Sequence, residues 1–526
     1  MTLVKVPDTF HDLLKESALT FGKKTAFTDG ENIISFEDAK RLSLRLAKHF
    51  LKIGLKKGDV LAVQLPNSLE YVIAHLAAAQ IGLIFNALSP NYRMQELTYM
   101  LGHCKAKAFI VPGIFKKLNF EDLAYELKGK MTHLEHIIVA GNPKRPDSIA
   151  FSSLLEQDPE GITDEEIKAN RPVVDDPAII LFTSGTESNP KAVLHTFRTF
   201  VGGNLANGKE YQLSEKDTML SLTPLCHMFS FPMIMNCLLH GSSHFLCSEY
   251  KVEEVTGILQ KENVTVLFAA PAHLIDILHH VKDNEAHNTN LRLVMTGGAK
   301  IPTQMVKELR HVLNCKVGAQ WGMTEISAGT FTRPGDAPAK AWETVGRAAP
   351  AGEVIVLDEE HRPLPAGEIG EIAFKGGSLF IEYYGNPAAS EAAFTKHGYF
   401  LTGDQGFLDE DGYIHFSGRT KDTINRGGLK FHATEIEEAL QMHPKIRQAA
   451  VVSVPDPRLG ERACAFITLR DNESLEFEQI KTFLLDKGFA KYKIPEFLEV
   501  RAELPTTPSG KISKGPLRKE ATTLSE

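Results

Sequence analysis

At 526 residues the chain is too long for one ordinary domain, and 43% apolar with 24% charged residues gives a substantial core under a solvated surface. A formal net charge of −8 argues against a nucleic-acid partner, whose phosphates need a basic face. The six cysteines form no CxxC pair and sit mostly in apolar runs, so they read as reduced thiols in a reducing compartment rather than as a disulfide framework.

The first residues, MTLVKVPDTFHDLLKES, have neither an apolar signal core nor an Arg/Ser-rich transit pattern, and a cytoplasmic location is expected. The most membrane-like stretch, Val72 to Leu88, is short and carries His75, Gln80 and Asn86. Splitting it at Gly82 into a buried helix and a strand accounts for it without a membrane span. Further along, apolar β-rich runs at 106–111, 137–140, 178–182, 264–269 and 291–295 alternate with helix-length segments such as 252–261 and 302–313. Strands that are apolar throughout, separated by helices, predict an α/β fold with parallel-rich sheets covered on both faces. From about Glu353 to Gly418 the texture becomes turn-rich (GEVIVLDEE, GEIGEIAF, DGYIHFSG), which predicts a smaller, more antiparallel β unit. Beyond Gly418, EIEEALQM and LEFEQIKTFLLDKG read as helices and AAVVSV and ACAFITL as strands, a small α+β tail. The expected organisation is a large domain over 1–418, a hinge at 419–421 and a small C-terminal domain over 422–526.

Chemistry enters with Leu181-Phe-Thr-Ser-Gly-Thr-Glu-Ser-Asn-Pro-Lys191, directly after a buried-looking strand. Small hydroxyl residues and a glycine let backbone N–H groups wrap phosphate oxygens, and Lys191 adds a point charge. The segment is not a Walker A loop, since GxxxxGK[ST] is absent. Taken alone, a polar strand-to-helix turn explains it equally well.

Four further segments change that balance: Gln320-Trp-Gly-Met-Thr-Glu325, Tyr399-Phe-Leu-Thr-Gly-Asp404, Gly418-Arg-Thr-Lys-Asp422 and Pro508-Ser-Gly-Lys511. In this order the five segments resemble the motif set of the adenylate-forming superfamily of acyl-CoA synthetases, aryl-acid ligases, luciferases and peptide-synthetase adenylation domains. The resemblance covers nearly the whole chain. It implies an ATP-dependent enzyme that joins a small carboxylic acid to AMP and then passes the acyl group to a thiol. On that likeness Thr183, Ser184, Gly185, Thr186 and Lys191 hold the leaving phosphates, Glu325 binds Mg²⁺ and Thr324 meets an α-phosphate oxygen. Gln320, Trp321, Gly322 and Met323 border the nucleotide, with Trp321 where the family often places a tyrosine against adenine, and Gly298 and Ala299 lie between adenine and the acyl pocket. Asp404 would accept from both ribose hydroxyls, as an acceptor-only group with two oxygens can. Arg419 would donate to ribose or phosphate, and Lys511 would bridge the attacking carboxylate and the α-phosphate. Singly, Asp404, Lys511 and Glu325 are better explained as turn, solvated and helix-start residues; only their joint order overturns that.

Two departures stand out: Glu187-Ser188 where many members have Thr-Gly, and Ala192 where they have Gly. The segment Pro224-Leu-Cys-His-Met-Phe-Ser-Phe231 resembles the family's acyl-pocket segment and puts His227 at the pocket, although a lone His among apolar residues is more often core. No acid occurs from Met219 to Ser248, which disfavours amino acids, because a buried ammonium needs a counter-charge. Met228 stands where catechol-acid ligases often carry Asn and suits an acyl chain or unsubstituted ring, whereas DTINRGG at 422–428 resembles the aryl-acid ligases. The expected substrate is a medium-chain fatty, alicyclic or simple aromatic acid. The resemblance also implies rotation of the small domain about Lys421, with Gly427 and Gly428 approaching the pantetheine arm of coenzyme A or of a separate carrier protein. The absence of a fused carrier after Glu526 favours coenzyme A. A non-catalytic nucleotide binder is the remaining alternative, and such a protein is expected to lose Lys511, Asp404 or Glu325, all present here.

Overall fold

Runs that are apolar at every position can be buried on both faces, and the chain uses them so. In the computed structural model, residues 9–183, 190–283, 289–298, 301–350, 352–470, 473–507 and 511–523 are described. They fall into two compact units. The first comprises the described residues of Met1–Thr183, Asn189–Glu353 and Lys375–Ala392; the second, those of Val354–Phe374 and Ala393–Glu526.

Two sheets build the first unit. One has nine strands, with Lys316–Met323, Leu293–Gly297, Val266–Ala269, Thr218–Ser221, Ser243–Leu246 and Thr25–Thr28 adjacent and parallel in that order. Ser327–Phe331 turns back antiparallel, with Arg347–Ala348 beyond it at one edge, and Ile33–Ser35 is antiparallel at the other. The second sheet has eight strands, with Pro177–Phe182, Ile84–Ala87, Val60–Val63, Ala108–Pro112 and His136–Ala140 running parallel. Ala192–Thr196 pairs antiparallel with Pro177–Phe182, and Glu382–Tyr383 closes that edge. The apolar stretch around residue 80 divides as its glycine predicts: the helix Leu69–Gln80 ends, Gly82 takes φ 64°, and the strand Ile84–Ala87 follows. No helix among the described residues is long and apolar enough to cross a membrane.

At the amino ends of the parallel strands a half-buried ion pair joins two of them. The Arg292 guanidinium donates through two nitrogens to the Asp217 carboxylate at 2.8 and 2.9 Å and also to the Tyr211 and Gln212 carbonyls. A two-point fork of this kind locks geometry as well as charge.

The turn-rich segment forms the expected antiparallel sheet, Gly352–Leu357, Gly370–Gly376, Phe400–Leu408 and Ile414–Arg419 in order. The tail follows as a five-stranded sheet built on the long Ile446–Asp456/Gly460–Leu469 hairpin and packed by the helices Ala433–Gln441 and Phe477–Asp486. The compact grouping puts these two sheets in one unit, whereas the sequence pattern assigns the first of them to the large domain. Contacts between them include Thr434 donating to the Ser417 carbonyl at 2.7 Å, Thr423 donating to Gln405 at 3.3 Å, and Lys430 pairing with Glu359 at 3.2 Å.

Candidate active site

In parallel sheets, ligand crevices form beyond the carboxyl ends of the strands, and the first unit puts its candidate residues there. The strand Pro177–Phe182 leads into Thr183, whose N–H donates to the Lys191 carbonyl at 2.9 Å and whose hydroxyl accepts from the Lys191 N–H at 3.1 Å. This pair of bonds holds Thr183 and Lys191 side by side. Ser184, Gly185 and Thr186, with Glu187 and Ser188, lie outside the described residues, as does Ala299.

Beside it, in the other sheet, Gln320 to Met323 end the strand Lys316–Met323, and Thr324 to Ile326 turn the chain into Ser327–Phe331. The turn needs Gly322: a Cβ there would lie 1.9 Å from the Ser327 carbonyl oxygen. Gly297 is equally constrained, with a Cβ falling 2.3 Å from the Gln320 carbonyl oxygen, and Gly298 has φ 77°. Gln320 is held by the Tyr211 hydroxyl at 2.8 Å. Trp321 is buried, its ring fitting over Gly329, where a Cβ would come within 2.8 Å.

The Thr324–Glu325 turn is gripped by three groups from the eight-stranded sheet and its flanking chain. His195 Nε2 donates to the Thr324 carbonyl at 2.8 Å, while its Nδ1 lies 3.1 Å from the Thr199 hydroxyl. Burial depresses the His195 pKa to about 4, so it is neutral at pH 7, one nitrogen donating and the other accepting. The Phe380 N–H donates to the Glu325 carbonyl at 2.7 Å. The Tyr383 hydroxyl donates to Glu325 Oε1 at 2.9 Å, and the Lys191 ammonium lies 4.3 Å from the centre of the same ring. Burial first, and the Glu325 charge second, raise the Tyr383 pKa, so the phenol keeps its proton. Sequence patterns give no sign of His195, Tyr211 or Tyr383. The only available signal was that they are polar residues at strand or helix ends.

Glu325 is 8% exposed. No group of three or more His, Cys, Asp or Glu among the described residues could hold a metal by itself. One hard carboxylate is what Mg²⁺ needs when it travels with nucleotide phosphates and keeps several waters, so Glu325 fits that ion.

The segment expected at the acyl pocket enters from the strand Thr218–Ser221. His227 is half-buried, and its carbonyl accepts from the Ser230 and Phe231 N–H groups ahead of the helix Pro232–His240. Met228 is buried in the core, and Phe229 lies 3.4 Å from the position of a Gly297 Cβ, so this segment meets the Gly297 strand end. Two polar side chains of this segment, Ser230 and Cys226, are buried. Ser230 shares short hydroxyl contacts with Ser221 and Thr223, and burial pushes the Cys226 thiol up to about 12.

The second unit carries the other candidates. Asp404, 4% exposed, is directly opposite Arg419 across the antiparallel pair, with Oδ1 3.2 Å from Arg419 Nε. Gly403 precedes it with φ 70°, and the Thr402 hydroxyl accepts from the Asp404 N–H at 3.1 Å. Lys511 is exposed as a residue, yet its ammonium is desolvated by surrounding protein; with the Arg419 charge beside it, and Asp404 opposing, its pKa falls to about 8. The Thr507 N–H donates to the Lys511 carbonyl at 2.6 Å, and Pro508, Ser509 and Gly510 lie outside the described residues. Gly427 and Gly428, with φ 60° and 88°, are the two central residues of the hairpin joining Thr423–Arg426 and Leu429–His432. Two successive positive φ values define the tight turn that matches strand twist, which explains the glycines locally.

Residues 14–384 match the family model described as AMP-binding enzyme, and residues 435–511 match the AMP-binding enzyme C-terminal domain. The chain is 33% identical over 478 residues to a medium-chain fatty-acid–CoA ligase of Escherichia coli (strain K12), covering 90% of this chain and 83% of that protein. It is 30% identical over 514 residues to a 2,3-dihydroxybenzoate-AMP ligase of Bacillus subtilis (strain 168), covering 97% and 93%. Among solved structures, the anthranilate CoA ligase AuaEII in complex with anthranoyl-AMP superposes with TM-score 0.89 at 24% identity, covering 100% of this chain and 99% of that one. At that identity the likeness is one of fold.

Proposed function

Because the chain belongs to the AMP-binding, adenylate-forming enzyme family, we propose that it is an AMP-forming carboxylic acid:CoA ligase acting on a medium-chain fatty, alicyclic or simple aromatic acid. In the first step a carboxylate oxygen attacks the α-phosphorus, the bond to the bridging oxygen breaks, and pyrophosphate leaves. In the second a thiol sulfur attacks the acyl carbon, AMP leaves and one proton is released. Such transfers are governed by positioning and by stabilising charge on phosphate oxygens. Thr183 and Lys191 receive the leaving phosphates in this reading. Glu325 is the carboxylate that would hold Mg²⁺, which screens phosphate charge when bound. Asp404 and Arg419 take the ribose, Lys511 brings the two anions together, and His227 borders the acid.

The observation that carries the substrate class is the apolar segment of 219–248. It contains no acid, Met228 is buried, and Ser230 is already bonded to Ser221 and Thr223. An ammonium or a pair of ring hydroxyls brought there loses water without gaining a matched partner. Each unpaired neutral polar group costs about 1–3 kcal/mol, hence roughly ten- to a hundredfold in kcat/KM. A second reading, loading of a separate carrier protein, draws support from the similarity to the dihydroxybenzoate-AMP ligase. ATP–pyrophosphate exchange over a panel of fatty, aromatic, hydroxylated and amino acids, followed by thioester formation with coenzyme A or phosphopantetheinylated carrier, tests both. Apolar acids should lead the exchange and coenzyme A should accept. Fastest turnover of dihydroxybenzoate or an amino acid overturns the substrate class, and acylation of the carrier alone overturns the acceptor.

A further inference from the structure

We infer that Tyr383 is a positioning residue which sets Lys191 and Glu325 at a fixed distance from one another, so that the phosphate-binding cation and the metal-binding carboxylate are presented together. The inference rests on the roles just proposed for those two residues. One aromatic side chain touches both: its face meets the Lys191 ammonium 4.3 Å from the ring centre, and its hydroxyl donates to Glu325 Oε1 at 2.9 Å. A cation over a π face and a hydrogen bond to an ionised acceptor are both directional, and both strengthen when water is excluded. Tyr383 is 3% exposed.

The ring itself has little freedom. Its strand pairs with Ala192–Thr196, setting Val193 opposite Tyr383, and the next N–H, of Tyr384, donates to the Ala192 carbonyl at 2.7 Å. The Tyr383 N–H donates to the Ser390 hydroxyl at 2.9 Å, and Phe380 packs on the ring at 4.7 Å between centres. Lys191 immediately precedes the strand that Tyr383 pairs with, while Glu325 comes from the other sheet. Tyr383 therefore joins the two sheets at the point where the nucleotide's phosphates and their ion are proposed to bind.

The test is nucleotide binding measured by calorimetry without acid substrate, with Mg²⁺ and with chelator. Tyr383→Phe keeps the ring over Lys191 and removes the hydroxyl. It should leave metal-free ATP affinity within about twofold while cutting the tightening that Mg²⁺ produces by about tenfold, the usual scale for a lost hydrogen bond to a charged group. Tyr383→Leu should weaken metal-free binding as well. If Tyr383→Leu does not fold, Tyr383→Phe alone decides the matter, because a loss confined to Mg²⁺-dependent binding is one that a merely structural change does not produce. Equal losses with and without Mg²⁺, or none, overturn the inference. If Glu325→Gln leaves Mg²⁺ dependence intact, the underlying assignment of Glu325 has failed. If Glu325→Gln abolishes it and Tyr383→Phe does not, only the role of Tyr383 has failed.

Discussion

Lys511 is the residue whose chemistry is most exposed to test. A lysine that brings two anions together must be charged, and its pKa of about 8 puts the change of charge within reach of ordinary buffers. The ammonium is protonated below that value and neutral above it. Pyrophosphate exchange should therefore fall as pH rises through about 8, while thioester formation from preformed acyl-adenylate should not follow the same limb. Lys511→Arg, which does not titrate in this range, should remove the alkaline limb, and Lys511→Ala should slow adenylation on the order of 10²–10³-fold. An unchanged alkaline limb in Lys511→Arg assigns the titration to another group. The sequence made Lys511, Asp404 and Glu325 legible only together, since each alone resembles a solvated or capping residue. It left His195 and Tyr383 unseen for a physical reason. Each acts across sheets on partners 129 and 58 residues away, and no local pattern encodes such a pairing.

Elements were more readily read than residues. Each of the five β-rich runs singled out in the sequence contains a strand, because continuous burial leaves a periodicity-free signature that turn residues bracket. The grouping of sheets was harder, since it depends on side-chain bonds such as Thr434 to Ser417. Those bonds bear on the proposed hinge. Lys421 sits in the 3₁₀ turn Thr420–Asp422, and Asp422 is held on the tail side by Arg518 and by Lys514 at 3.6 Å. The Arg518 guanidinium also donates to the Lys421 carbonyl at 3.2 Å. Backbone after Lys421 is thus tied to the tail, and Arg419 before it to the strand of Asp404. Thr420 and Lys421 are left to absorb any rotation. A 3₁₀ turn has φ near −60° (approximately), so proline suits the present arrangement and opposes another. Lys421→Pro should keep pyrophosphate exchange within a few-fold of wild type and depress thioester formation by at least about tenfold. Undiminished thioester yield per adenylate removes Lys421 from the hinge.

At the scale of the whole molecule, four histidines predict how the protein responds to acid. His75, His195, His240 and His244 are buried in the first unit, and desolvation lowers their pKa values to about 3, 4, 4 and 3. His75 is packed edge-on among Phe10, Phe85 and Phe231 with ring centres 5.4, 4.9 and 4.8 Å away. Unfolded, each would titrate near 6.5. Above that pH the folded and unfolded chains bind equal numbers of protons at these sites, and no stability is at stake. Below it the unfolded chain takes up protons that the folded chain refuses, so stability falls with pH until the folded values near 3 and 4 are reached. Each histidine contributes about 1.4 kcal/mol per pH unit over that window, and four together about 5 kcal/mol per unit. Against a domain stability of about 5–15 kcal/mol, this should unfold the first unit between roughly pH 5.5 and 4. Both tryptophans, Trp321 and Trp342, lie in the first unit, so their emission reports it alone. No histidine among the described residues of the second unit is buried, and its amide protection against hydrogen exchange should outlast the change in emission. His75→Leu removes one titrating group from an apolar cage. It should remove about 1.4 kcal/mol per pH unit from the pH dependence of first-unit stability and shift the emission midpoint to lower pH. A first-unit transition that stays below pH 3, or a midpoint indifferent to His75→Leu, would mean that these rings find protonated states the packing does not reveal.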